Sequence, residues 1–325
     1  MTENFKNNLV HELMDTLKKK NIKYQELFYL TGDASPRRYF IIKQNGKKNI
    51  LMLDKQSQNL KKFIKVTKLL RDFVSVPEII INQSEEGILI LENFENNKFS
   101  DVLSPSNKEE LYQFATDALI YTHKNLTISD LPFYTKDLFF EETDIFFDWF
   151  IENLNEDEIG ILKRNFKEIF NKFLDTIFQL PKVFIHRDYH VDNLFGLFER
   201  KKHFRCGWID YQDALVGPCV YDLVSLTQDA RVDVDKEIEN LTINLYLKNF
   251  SFIDKKIFFS SYKIIAIQRH LKVLGIFSRL SKRDNKKNYL HHIPRVLRLL
   301  KINLQTEDLR SLRNFLTPLI GSKYV

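Results

Sequence analysis

Apolar positions recur along this chain in two rhythms, one of three to four residues and one of two, and the change between them divides the sequence. Leu9, Val10, Leu13, Met14 and Leu17 follow Asn7-Asn8 at helical spacing and run into a lysine-rich end, which predicts an amphipathic helix. Arg37 to Lys43 and Asn49 to Asp54 are β-prone runs joined through Asn45-Gly46. Both turn residues tolerate positive φ, so an antiparallel hairpin is predicted there. Leu60, Phe63, Ile64, Thr67 and Leu70 mark a second helix, and Pro77 to Asn82 with Gly87 to Glu92 a second strand pair. Up to residue 93 the predicted order is therefore helix, hairpin, helix, hairpin.

Beyond residue 93 the helical rhythm dominates, with helices predicted at about 107–124, 139–153, 157–179, 221–230, 235–248, 254–280 and 287–303. One strand-rich island interrupts it at 183–210. There Val183-Phe184-Ile185 leads into a polar cluster, and Leu194 to Phe198 and Phe204 to Ile209 flank a charged turn, Glu199 to His203, as a further hairpin. The pattern predicts an α+β chain of two lobes: a small antiparallel-sheet lobe over 1–93 and a larger, mostly helical lobe over 94–325. Repeats, low-complexity tracts and Pro/Gly/Ser linkers are not evident.

Composition narrows the classes. The chain's 325 residues can bury a sizeable core, and 44% apolar with 28% charged residues is ordinary for a folded globular protein. The 49 basic against 43 acidic residues give a net charge of +6 and a pI near 9.0. Those lysines are scattered through helical stretches rich in Asn, Ile and Phe, so a nucleic-acid surface is not expected. Cys206 and Cys219 are too few and too far apart for a redox pair, the start lacks a secretory pattern, and no uninterrupted apolar run spans a membrane. A cytoplasmic location is the expectation, with oligomeric state left open.

The polar cluster at 186 carries the chemistry. His186, Asp188 and Asn193 form the H-x-D-x-x-x-x-N arrangement of a kinase catalytic loop, directly after an apolar strand. Phosphoryl transfer needs a carboxylate for the acceptor hydroxyl, oxygen ligands for Mg²⁺, and cations or amides for the nucleotide phosphates. Asp188 suits the first role. Asn193, with Asp210 at the end of the Trp208-Ile209-Asp210 strand, suits the second, because Mg²⁺ takes few protein oxygens and completes its shell with phosphate and water. Any one of these residues alone reads as a turn former or cap. Spacing, preceding strand, following hairpin and second acid together favour catalysis with ATP and Mg²⁺.

Thr31 to Phe40, before the first hairpin, offers phosphate contacts: Gly32 permits close backbone approach, Ser35 a hydroxyl, and Arg37 or Arg38 a fork of donors. A plain β-turn with exposed arginines is the bland alternative. The third strand of a kinase should carry a lysine for the phosphates, yet Leu51-Met52-Leu53-Asp54-Lys55 places Asp54 before its only lysine. Lys55 and the two arginines are therefore competing candidates. Glu92-Asn93-Phe94, after an apolar strand, reads as the lobe hinge with backbone contacts to adenine or as a mere strand end. The aromatics between Phe139 and Phe150 read as core or, with Asp148, as a sugar pocket. Gln268, Arg269 and His270 read as substrate contacts or packing, and Asp222 as a helix start that buttresses the loop.

His186 to Asn193 and Ile209-Asp210-Tyr211-Gln212-Asp213 resemble the aminoglycoside phosphotransferase and choline kinase superfamily. Thr31 to Phe40, Gly217 to Leu226 and Gln268 to Gly275 resemble a narrower group, the anomeric kinases of N-acetylmuramate and N-acetylglucosamine in peptidoglycan recycling, and the likeness covers about 27–280. The resemblance implies a two-lobed, protein-kinase-like fold, Asp188 as base, Asn193 and Asp210 as Mg²⁺ ligands, and 32–38 as the nucleotide loop. Two alternatives stay open at this point. One is a kinase for another acceptor, an aminoglycoside, choline or an amino acid, for which Glu141, Glu142 and Asp148 would be the acidic cluster. The other is a non-catalytic module that kept the fold, against which the intact Asp188, Asn193 and Asp210 argue.

Overall fold

Side chains alternate across a pleated strand, and a sheet whose two faces are both apolar must be covered twice. The computed structural model, which describes residues 3–30, 37–128 and 130–321, shows this in the first lobe. In chain order come α1 (Glu3–Lys19), β1 (Glu26–Leu30), β2 (Arg38–Gln44), β3 (Lys47–Leu53), α2 (Ser57–Leu70), β4 (Ile79–Gln83) and β5 (Ile88–Leu91). The strands form one antiparallel sheet in the order β1-β2-β3-β5-β4. Phe40, Ile42, Leu51, Ile88 and Ile90 pack on Leu9, Leu13 and Leu17 of α1. Met52, Leu89 and Leu91 face the other way, onto Leu60, Phe63, Ile64 and Leu70 of α2. Strand β5, paired on both sides, is thus buried at every residue, which explains its unbroken Ile-Leu-Ile-Leu run. The predicted hairpin turn is present, with φ of 50° at Asn45 and 78° at Gly46.

The second lobe is mostly helical: α3 (Phe99–Val102), α4 (Lys108–Asn125), α5 (Lys136–Trp149), α6 (Glu156–Ile177), α7 (Tyr221–Thr227), α8 (Lys236–Asn249), α9 (Lys255–Lys282), α10 (Ile293–Asn303) and α11 (Arg310–Ile320). Two small antiparallel pairs lie among them, β6 (Lys182–Ile185) with β9 (Leu215–Pro218) and β7 (Leu194–Gly196) with β8 (Cys206–Trp208). The main hydrophobic cluster runs from α2 and one sheet face into this lobe without a break. Among the described residues no helix is long and apolar enough to cross a membrane.

The structure adds elements the periodicity does not reveal. Strand β1 sits at the sheet edge with Phe28 53% exposed, so its side chains carry no clean alternation. Strand β9 contains Gly217-Pro218, which reads locally as a turn. The β7–β8 hairpin is shorter than expected because Lys202–Arg205 winds into a 3₁₀ turn, and the 287–303 stretch divides into a 3₁₀ turn and α10, with Pro294 in the first turn of α10.

Helices α5 and α9 cross so closely that a Cβ on Gly275 would lie 2.5 Å from the Ile145 carbonyl and 2.6 Å from the Phe146 nitrogen. Backbone cannot yield there as a flexible side chain would. Gly275→Ala is expected to cost about 1–3 kcal/mol or more and lower Tm by several degrees, whereas Gly160→Ala, with only the Arg164 guanidinium 3.8 Å away, should be neutral or stabilising. Equal melting temperatures for the two variants would contradict this packing.

Candidate active site

Strand β6 buries Val183, Phe184 and Ile185 and ends at His186, where the backbone must turn sharply. Arg187 makes the turn with φ of 76°, a left-handed conformation that a residue with a side chain adopts only when held. Asp222, in the first turn of α7 and fully buried, supplies the hold: its carboxylate accepts the His186 N–H at 2.6 Å and the Arg187 N–H at 3.1 Å. It buttresses the loop as the sequence suggests, but caps no helix. Burial pushes the pKa of Asp222 up, to about 7, against those two donors and nearby Arg269.

One hydrogen-bonded frame unites the three predicted residues. The His186 ring donates through Nε2 to the Ile209 carbonyl at 3.0 Å, and the Ile209 N–H donates to the Asn193 carbonyl at 3.0 Å. Asp210 follows with φ of 62°, the second strained residue of the site, and its Oδ1 accepts from Gln212 Nε2 at 2.9 Å. Asn193 donates through Nδ2 to the Asp188 carbonyl at 2.9 Å, with His190 Nε2 at 3.4 Å. Both acceptors fix the amide in one orientation, so Oδ1 remains for another partner.

Electrostatics separate the two acids. Burial alone would raise the pKa of Asp188, but Lys272, Arg269 and Arg187 outweigh it and hold the carboxyl below its ordinary range. Asp188 is therefore ionised at neutral pH. Asp210 is shifted upward, first by burial and then by the Asp188 carboxylate, although its side chain is 47% accessible. A cation beside Asp210 would relieve this like-charge pressure.

A conserved-family model described as the phosphotransferase enzyme family matches residues 29–250, more than half of the chain. The chain belongs to this family. Curated relatives point the same way: an N-acetylmuramate/N-acetylglucosamine kinase of Pseudomonas aeruginosa is 34% identical over 85% of this chain and 83% of its own length. One of the same name from Neisseria meningitidis is 29% identical over 92% of each. Among solved structures, the ADP-bound aminoglycoside phosphotransferase APH(2'')-Ib superposes with a TM-score of 0.62 at 18% identity, covering 89% of this chain and 97% of its own. A choline/ethanolamine kinase family protein from Mesorhizobium loti gives 0.62 at 14%, covering 90% and 92%. At such identities the likeness establishes the fold, that of the protein-kinase-like enzymes expected from the catalytic loop.

Beside Asp188 this phosphotransferase holds a buried charge network that sequence reading does not assemble. Glu142 of α5 accepts from Lys272 Nζ at 2.7 Å, Gln268 Nε2 at 2.9 Å, the Tyr134 hydroxyl at 2.7 Å and the Arg187 guanidinium. Burial works to raise its pKa, but Lys272 and Arg187 bring it down to about 2. Arg269 donates to the Arg187 carbonyl at 2.7 Å and to the Ser225 hydroxyl. Spacing offered one clue: Gln268 and Lys272 are one turn apart on α9 and share a face. Their partner is more than a hundred residues away. The acidic cluster that the aminoglycoside alternative would need does not form from Glu142 and Asp148, because Glu142 turns inward to these cations while Asp148 pairs with Lys163 of α6 at 2.7 Å. Phe139, Phe146 and Phe147 are core residues.

The remaining candidates are placed as follows. Gly32 and Ser35 lie outside the described residues. Arg37 is buried beside Asp210, with 3.9 Å between Nη1 and Oδ1, and Arg38 Nη1 donates to the Arg37 carbonyl at 3.1 Å. The Lys55 side chain is 79% exposed and pairs with Glu12 of α1 at 3.6 Å. Asp54, turned inward, takes the position beside Arg37, so the strand's next side chain faces outward. The Glu92 carboxylate binds Arg200 and the Glu78 N–H, just after the end of β5.

Proposed function

We propose that this enzyme transfers the γ-phosphoryl group of ATP to the anomeric hydroxyl of N-acetylmuramate or N-acetylglucosamine in the cytoplasm. The observation that carries the chemistry is the single frame holding Asp188, Asn193 and Asp210. The first lobe, 1–93, would cradle the nucleotide through Gly32, Ser35, Arg37 and Arg38, with the hinge at Glu92 along adenine, and the second lobe, 94–325, would hold the acceptor. Among the described residues no group of three or more His, Cys, Asp or Glu could hold a metal. The donors present, one free amide oxygen and one carboxylate under like-charge pressure, suit Mg²⁺, whose remaining positions go to phosphate and water. When bound, Mg²⁺ neutralises charge on the phosphate oxygens.

Asp188, ionised by its cation surroundings, orients the acceptor hydroxyl and takes its proton as the oxygen–phosphorus bond forms and the bond to the departing diphosphate breaks. An anomeric hydroxyl is more acidic than an ordinary alcohol, so late proton transfer to a carboxylate suffices. The identity of the acceptor rests on the curated relatives. Local electrostatics favour it too: the wall beside Asp188 is lined by Arg187, Arg269 and Lys272, and Glu142 is already neutralised, a poor surface for a polycationic aminoglycoside. The expected product is an acid-labile sugar 1-phosphate. Comparing a reducing amino sugar with its 1-O-methyl glycoside tests it: equal phosphorylation of the glycoside would sink the anomeric assignment and leave the kinase reading standing.

A further inference from the structure

Asp222 holds the catalytic loop at its first two residues, His186 and Arg187. The other end of the loop, with Asn193, is reached by a second buried acid. Asp229, two residues beyond α7 and 2% exposed, accepts the Val191 N–H through Oδ2 at 3.0 Å. Its Oδ1 accepts the Arg231 N–H at 2.9 Å. The Arg231 guanidinium in turn meets Asp192 through Nε at 2.7 Å, with Nη1 4.0 Å from Asp229. Arg295 of α10 secures the 230–231 stretch, donating through Nη1 to the Ala230 carbonyl at 3.2 Å and the Arg231 carbonyl at 2.9 Å. Asp229 and Arg231 therefore grip Val191 and Asp192, the two residues that share a 3₁₀ turn with Asn193.

We propose that Asp229, with the Arg231 side chain it places on Asp192, is the positioning residue for Asn193, setting the amide that faces the metal as Asp222 sets the turn before Asp188. This rests on the reading of Asn193 as a Mg²⁺ ligand. A three-residue 3₁₀ turn holds itself weakly, here through the Asn193 N–H on the His190 carbonyl at 2.9 Å, so its orientation has to come from outside. A carboxylate suits the task because it offers an acceptor to each of two N–H groups. An amide of the same shape has one acceptor oxygen, and its NH₂ would abut the second N–H. Asp229→Asn thus strips one buried N–H of its partner and lets the turn tilt. Mg²⁺ demands near-ideal octahedral geometry, so a tilt that moves the Asn193 oxygen is felt as weaker metal binding.

Calorimetric titration of ATP at a series of Mg²⁺ concentrations, without acceptor, tests this on wild type, Asp229→Asn, Asn193→Ala and the double variant, together with amide hydrogen exchange across 186–193 in metal-free protein. Asp229→Asn should raise the Mg²⁺ concentration that half-restores ATP affinity about tenfold, leave ATP affinity in EDTA as in wild type, and speed exchange at Val191. In the Asn193→Ala background the same substitution should shift the Mg²⁺ dependence no further, because the acid acts through the amide. Wild-type Mg²⁺ dependence or wild-type Val191 exchange in Asp229→Asn, equal losses of ATP affinity with and without Mg²⁺, or shifts that multiply in the double variant would each overturn the assignment. Should Asp229→Asn fail to fold, Arg231→Gln releases only the grip on Asp192. It should shift the Mg²⁺ dependence about threefold, and no shift would overturn the proposal. If Asn193→Ala by itself leaves the Mg²⁺ dependence of wild type, the metal reading of Asn193 fails and takes the proposal with it.

Discussion

Asp188→Asn is expected to lower kcat by roughly 10²–10⁴-fold, with ATP affinity nearly unchanged, because the variant loses the proton acceptor and keeps the metal-facing groups. The fold should tolerate the change. Arg187 and Lys272 retain Glu142, and Arg269 retains the Arg187 carbonyl and Ser225, so no buried cation is left without a partner. Single-turnover kinetics beside nucleotide titration separates chemistry from binding. Activity within about threefold of wild type would remove Asp188 from the reaction.

Asp210→Ala acts at the other end of the transferred group. The variant should bind ATP poorly in Mg²⁺ and lose at least about two orders of magnitude in kcat/KM, since metal-assisted charge stabilisation is worth several kcal/mol. The direction is not obvious from stability alone. Removing Asp210 relieves its repulsion with Asp188, while alanine is no better suited to φ of 62°. A variant that melts near wild type yet no longer responds to Mg²⁺ is the expected signature. Unchanged ATP affinity at saturating Mg²⁺ would show that another group carries the metal.

How far these sites were readable from sequence depended on the distance over which each is assembled. His186, Asp188 and Asn193 lie within one loop, and Asp210 at the end of the hairpin after it, so spacing and strand pattern sufficed. The Asn45-Gly46 turn was readable for the same reason. Glu142 was not, because its partners Arg187, Gln268 and Lys272 arrive from a loop and a helix that become neighbours only when α9 packs on α5 at Gly275. Asp54 was visible as an acid where a lysine is usual, but its hydrogen bonds from Arg37 and Asn59 were not. Edge strand β1 and the Gly-Pro-containing β9 were lost because their pairing is decided by partners rather than by their own pattern.

Helix α2 ties the two lobes together. Two residues on the inner face of α2 clasp the residue that follows Asp210: Phe63 stacks on Tyr211 with ring centroids 5.2 Å apart, and Thr67 Oγ1 meets the Tyr211 hydroxyl at 2.8 Å. Leu60, Phe63, Val66 and Leu70 are buried in the cluster shared with the second lobe. Swinging α2 outward would return four such side chains to water at about 1.5–3 kcal/mol each, a sum comparable with the whole stability of an ordinary domain. This helix is therefore a fixed wall and not a lever. Displacing the corresponding helix, as happens in some kinases, would here cost a large part of the stability of the fold.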